Sequence, residues 1–142
     1  MIDYFKEAEK LMLEYPTLQL SIQNLKERKA ALEKIVPARQ PRTEKKKRQL
    51  AQLSKAEEIW LDRQQVDKQI KHTSAVVKHI EQVLEQLDSE ERVVLHSWYI
   101  AHKPKEKILE ELHVESLATL YNIRNKAVRR FAMLFFGASF FE

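Results

Sequence analysis

A chain with a single glycine among 142 residues has little means of building a β-sheet from tight hairpins, because the favoured two-residue turns need residues that tolerate positive φ. What it has in quantity is Leu, Lys, Glu, Gln and Ala, the residues that enter helices at least cost. The expected fold class is all-α: an N-terminal helical hairpin and a long coiled-coil-like helix, followed by a C-terminal helix-turn-helix domain. At 44% hydrophobic residues the chain can bury a modest core, enough for one domain or a small domain with an extension.

Punctuation and periodicity divide the chain into four parts. In residues 1–36, Tyr4, Phe5, Ala8, Leu11 and Met12 recur at helical spacing. Pro16 is expected to end that helix and Thr17 to cap a second one running to about Val36, forming the hairpin. Residues 37–48 read as a basic linker. Pro37 and Pro41 break helix there, and Arg39, Arg42, Lys45, Lys46, Lys47 and Arg48 face only Glu44. A solvated hinge and a non-specific phosphate contact both fit such a run.

Residues 49–87 read as the long helix, beginning as early as Thr43. Val66, Ile70, Thr73, Val77, Ile80, Leu84 and Leu87 alternate steps of four and three, the seam of a left-handed coiled coil. Ile59 extends this register and Arg63 interrupts it, while Leu50, Leu53 and Trp60 lie off the seam and are expected to hold the hairpin. Two partners fit the seam equally: a second copy in a homodimer, or the chain's own first helices.

Residues 88–142 carry the functional signal. Asp88 or Ser89 can cap a helix with Glu90 and Glu91 in its first turn, where the helix dipole favours acids. Val93, Val94, Leu95, Trp98, Tyr99 and Ile100 give that helix its buried side, and His102, Lys103 and Pro104 stop it. A short helix, Lys105 to Leu112, and a turn at His113 to Glu115 lead to a longer helix capped by Ser116. Leu120, Ile123, Ala127 and Phe131 point its apolar face inward. Thr119, Tyr121, Asn122, Arg124, Asn125, Lys126, Arg129 and Arg130 lie on the other face. No acid occurs from Ser116 to Phe136.

Base edges and phosphates are read by such donors, so the order short helix, turn, basic helix predicts a DNA-recognition helix. Thr119, Asn122, Arg124 and Lys126 are the expected base readers, Tyr121, Arg129 and Arg130 the phosphate contacts. Ser116 and Asn125 complete the candidate DNA-binding set. Lys103, Lys105 and Lys107 stand where the preceding helix would cross the backbone. The glycine usual in such a turn is missing, with His113 or Glu115 in its neighbourhood. Gly137 stands where a C-terminal αL cap belongs, and Phe140 and Phe141 beyond it are apolar. Trp98 and Tyr99 are expected in the core rather than as a stacking platform.

Other chemistries have little to stand on. Without cysteine there are no disulfides, thiolate metal sites or thiol nucleophiles. His72, His79, His96, His102 and His113 form no metal-binding motif, and no nucleophile or phosphate-cradling loop is recognisable, so no enzyme activity, metal or cofactor is expected. MIDYFKEAEK is too charged for a signal peptide, and the longest apolar run, Phe131 to Phe136, is far short of the roughly 20 residues a membrane helix needs. A cytoplasmic protein is therefore expected. The net charge of +4 is a mild prior for nucleic acid.

From Leu87 to Gly137 the chain resembles the helix-turn-helix of the fourth region of bacterial sigma factors. It is more closely similar to the ArpU and RinA groups of phage late-gene transcription regulators. The likeness rests on LDSEER (87–92), the Trp98–Tyr99 pair, TLYNIRNKA (119–127) and RFA (130–132). It implies a sequence-specific DNA-binding activator of a phage or prophage, acting in the bacterial cytoplasm on double-stranded promoter or operator DNA, with RNA polymerase as a further partner. No aromatic-rich melting segment precedes Leu87, so a complete sigma factor is not implied. Two other classes share the architecture: a small-terminase-like DNA-packaging component, and a coiled-coil adaptor that does not bind DNA.

Overall fold

The computed structural model describes residues 1–35 and 45–137, with side chains in 45–54 left undescribed. Among the described residues every regular element is helical: α1 (Tyr4–Glu33), α2 (Lys45–Gln86), α3 (Ser89–Leu95, continued by a π-helical turn at His96–Ile100), α4 (Lys105–Leu112) and α5 (Leu117–Phe136). The fold is all-α, as the composition requires. Two compact units divide it, one of residues 1–18 with 76–142, the other of residues 19–75.

The N-terminal hairpin expected for 1–36 is not formed. Tyr4 to Glu33 is one helix, with Pro16 inside it. An interior proline removes the bond to the carbonyl four residues back, here that of Met12, and costs about 3 kcal/mol. The cost is met by burial on both sides of the proline. Ala8 and Met12 are fully buried, and Leu11, Tyr15 and Leu18 pack on the same core. Tyr15 also donates its hydroxyl to Glu81 at 3.0 Å. Local punctuation is overridden because the helix is held by its tertiary contacts rather than by propensity. Residues 1–18 fall in the same compact unit as the C-terminal helices.

In the second unit, the later half of α1 lies antiparallel to the first part of α2. Ile22, Leu25 and Leu32 are half-buried, and Val66 of α2 is 1% exposed. Lys29 and Asp67 form an ion pair at 2.8 Å. Arg63, the break in the seam, donates Nε and Nη2 to the Leu32 carbonyl at 3.2 and 2.7 Å. The guanidinium thus adds two donors to a carbonyl at the end of α1 that otherwise accepts only a long bond from the Ile35 amide, at 3.3 Å, among the described residues. Trp60 does not pack as expected: it is 59% exposed. Leu50 and Leu53 have undescribed side chains. Of the basic linker, residues 37–44 lie outside the described residues, and Lys45 to Arg48 are already helical.

The seam of α2 is covered by the chain itself. Val66, Val77, Ile80 and Leu87 are buried and Ile70, Thr73 and Leu84 half-buried. In the first unit Ile80, Val83 and Leu87 join Ala8, Met12, Val94, Leu95, Tyr99, Ile108, Leu120, Ala127, Val128, Phe131 and Ala132 in one core. Asp88 begins α3 with a capping box, its carboxylate accepting from the Glu91 amide at 2.8 Å while Glu91 accepts from the Asp88 amide at 3.1 Å. At the far end of α5 Phe135 stacks on His79 at 4.0 Å between centroids, and Phe136 meets Tyr4 at 4.9 Å. Gly137 has φ 78 and ψ −159, an extended mirror-region conformation that only glycine enters cheaply, rather than the expected αL cap. Phe140 and Phe141 lie outside the described residues.

Candidate nucleic-acid interface

The turn between α4 and α5 works without glycine because His113 takes the left-handed position, φ 56 and ψ 43. The His113 amide donates to the Glu110 carbonyl at 3.2 Å and the Val114 amide to the Leu109 carbonyl at 3.0 Å. This is the paired 5→2 and 6→1 pattern of a Schellman motif, with His in glycine's usual place. The chain then extends to Ser116, whose hydroxyl accepts from the Thr119 amide at 3.1 Å and lies 2.8 Å from the Thr119 hydroxyl. Ser116 is therefore first a cap for α5. Helix α5 packs on α3 and α4 through Leu120, Ala127, Val128 and Phe131, all fully buried. The two helices are thus seated on a shared core.

This seating exposes Thr119, Asn122, Lys126, Arg129 and Arg130, while Tyr121 and Asn125 are half-buried. Asn122, Lys126 and Arg129 have no side-chain hydrogen bond or ion pair among the described residues. Arg130 points its Nη1 to Glu91 Oε1 at 3.3 Å. Glu91 is a mostly buried acid whose pKa is raised, chiefly by burial. Asp88 beside it is lowered, first by the Glu91 amide.

Arg124 does not join the exposed set. Its side chain is only 18% exposed. Its Nη1 donates to the Tyr99 hydroxyl at 3.1 Å and lies 3.5 Å from Glu9 Oε2, while Tyr99 donates to that same oxygen at 2.7 Å. The guanidinium also lies over the Trp98 ring at 4.8 Å and the Tyr121 ring at 5.5 Å. Its Nε is shut away from solvent without an acceptor. Burial, and then the Glu9 carboxylate, push the Tyr99 phenol well above its ordinary pKa. The base reader expected at 124 is thus a packed structural cation, tied to a residue 115 positions away. No periodicity within α5 could have shown that partner.

Two further findings change the electrostatics expected of the site. The stretch from Ser116 to Phe136 is acid-free in sequence but not in space. Asp88, Glu90 and Glu91 line a groove with Thr119, Asn122, Ile123, Lys126 and Arg130. On the side of α4, Lys103 is engaged by Glu111, whose pKa is lowered first by that hydrogen bond and then by Ser97. Lys105 instead bonds the Tyr121 hydroxyl and sits over the Tyr121 and Trp98 rings at 4.9 and 5.6 Å. Lys107 is exposed. Trp98 is therefore both a core residue and the floor under two cations.

No helix among the described residues is long and apolar enough to cross a membrane. No family model, curated protein or solved structure matches the chain.

Proposed function

We propose that the protein is a sequence-specific DNA-binding transcription regulator that lays α5 in the major groove and α4 across the backbone. The observation that carries this reading is the exposed row of Thr119, Asn122, Lys126 and Arg129 on the second helix of a helix-turn-helix whose inner face is buried through Leu120, Ala127, Val128 and Phe131. Asn pairs bidentately with adenine, Lys with guanine, and Thr with either a polar edge or a thymine methyl. Arg129 is a phosphate contact in this arrangement, and Arg124 acts by holding the domain together. The resemblance of LDSEER, TLYNIRNKA and RFA to phage late-gene regulators supports an activator at a late-operon promoter, with RNA polymerase as the partner it serves.

The test is selection of fragments from host and prophage DNA by the purified chain at physiological salt, with sequencing of what is retained. A sharp peak upstream of a late operon is expected. Uniform retention that vanishes steeply with added salt would leave phosphate binding without readout, and the recognition role of α5 would be withdrawn.

A further inference from the structure

Lys105 is the one lysine of the α4 start that is held in place by neutral groups. Lys103, two residues before it, is matched to the carboxylate of Glu111. The Lys105 ammonium has as partners the Tyr121 hydroxyl and the faces of Tyr121 and Trp98, none of which cancels its charge. The neighbouring cation, Arg124, shares the Trp98 and Tyr121 rings but has Glu9 beside it. One uncompensated positive charge therefore stands at a defined place on an exposed flank of the interface. Its rotamer entropy has been partly spent before any ligand arrives.

The hydrogen bond to Tyr121 has a second consequence. The phenol oxygen accepts from Lys105, so its own proton must point elsewhere, and no acceptor for it is present among the described residues. Donation from an ammonium polarises that O–H and makes it a stronger donor. The ammonium keeps two more N–H groups. A phenolic O–H and an ammonium N–H from adjacent atoms can converge on one acceptor that carries a single negative charge, which describes the phosphodiester.

The opposite flank is unfit for that role. By the helical repeat Tyr121 lies across α5 from Arg130, whose groove holds three carboxylates against two cations. A duplex laid on α5 meets its more favourable phosphate partner on the Tyr121 side.

We infer that Lys105 and Tyr121 form a single pre-organised clamp for one DNA backbone phosphate, beside the Trp98 ring. The clamp deepens the DNA-binding reading and rests on it.

A labelled duplex of mixed sequence is the probe, because a phosphate contact is blind to sequence. Binding to the full chain is measured over a range of NaCl concentrations for wild type, Lys105→Gln, Tyr121→Phe, the double variant and Lys105→Arg. Lys105→Gln should lower the slope of log affinity against log salt by about 0.9, the share of one phosphate. Tyr121→Phe should weaken binding roughly tenfold, the loss of one charge-assisted hydrogen bond. The double variant should bind no worse than the weaker single one, and Lys105→Arg should keep the wild-type slope. Losses that multiply in the double variant, or an unchanged slope in Lys105→Gln, overturn the shared clamp while leaving DNA binding intact. A wild-type chain indifferent to the duplex at low salt overturns the DNA-binding reading and the clamp with it.

Discussion

Replacing Arg124 by alanine separates the two roles this residue could have, because they predict opposite pairs of results. In the structure the substitution removes a hydrogen bond to Tyr99 at 3.1 Å, a guanidinium stacked 4.8 Å from the Trp98 centroid, and a long 3.5 Å ion pair with the half-buried Glu9. Central values for these are about 1 kcal/mol for the hydrogen bond, about 1 for the stacked cation and about 0.5 for the partly screened pair. The total is about 2 to 3 kcal/mol. In a chain of this size each kcal/mol moves the melting temperature by about 3 to 4 °C, so a fall of about 6 to 12 °C is expected. Far-UV circular dichroism measures it. Trp98 fluorescence in a Trp60→Phe background confines the reading to the unit that contains Arg124. On the proposed DNA-binding reading, the preference among DNA sequences, measured well below the melting temperature, should stay as in wild type. An unchanged melting temperature together with relaxed sequence preference would refute the packing argument and return Arg124 to the base readers.

Other consequences of the structure can be checked on the same protein. Pro16→Ala restores an amide donor for the Met12 carbonyl within α1 and should stabilise the chain by about 1 to 3 kcal/mol, part of the helical gain being offset by the freer unfolded chain; a destabilised variant would mean that Pro16 is needed where it stands. Arg63→Ala leaves the Leu32 carbonyl without its two guanidinium donors and should cost about 1.5 to 3 kcal/mol in denaturant titration, whereas Arg63→Lys should recover only part of it because an ammonium cannot reproduce the fork. Glu111 is held below its ordinary pKa, first by Lys103 and then by Ser97. Its contribution to stability is therefore complete above the unfolded-state value of about 4.3 and is lost as the pH falls through its lower folded value. Glu111→Gln should accordingly be less stable than wild type near neutrality and lose less on acidification, and parallel acid-unfolding curves would rule this linkage out.

The helix-turn-helix was legible because its signals are local. Asp88 or Ser89 offers a cap ahead of Glu90 and Glu91, Ser116 caps α5, and Leu120, Ala127 and Phe131 recur at the helical period. Each of these can be recognised within one or two turns of chain. The missing glycine of the turn was also visible, and the structure supplies its answer in His113, one of the residues that tolerate αL more readily than most. Pro16 misled for the complementary reason. A proline's cost is local, whereas the burial of Met12 and its neighbours that offsets it comes from other parts of the chain.

Sequence by itself determined the helical class, the seam along α2 and the capped entry into α5, since propensity, periodicity and capping act over a few residues. Only the tertiary structure decided which cations of α5 and α4 are available. Arg124 is drawn inward by Glu9, Tyr99 and Trp98, Arg130 and Lys103 face the carboxylates of Glu91 and Glu111, and Lys105 is left charged beside the Tyr121 hydroxyl. Charge is a property of a residue, but its availability depends on neighbours within a few ångströms, and here those neighbours lie from eight to 115 residues away along the chain. The α2 seam obeys the same logic: its period can be read in the chain, while its partner depends on which apolar surfaces the fold brings to it.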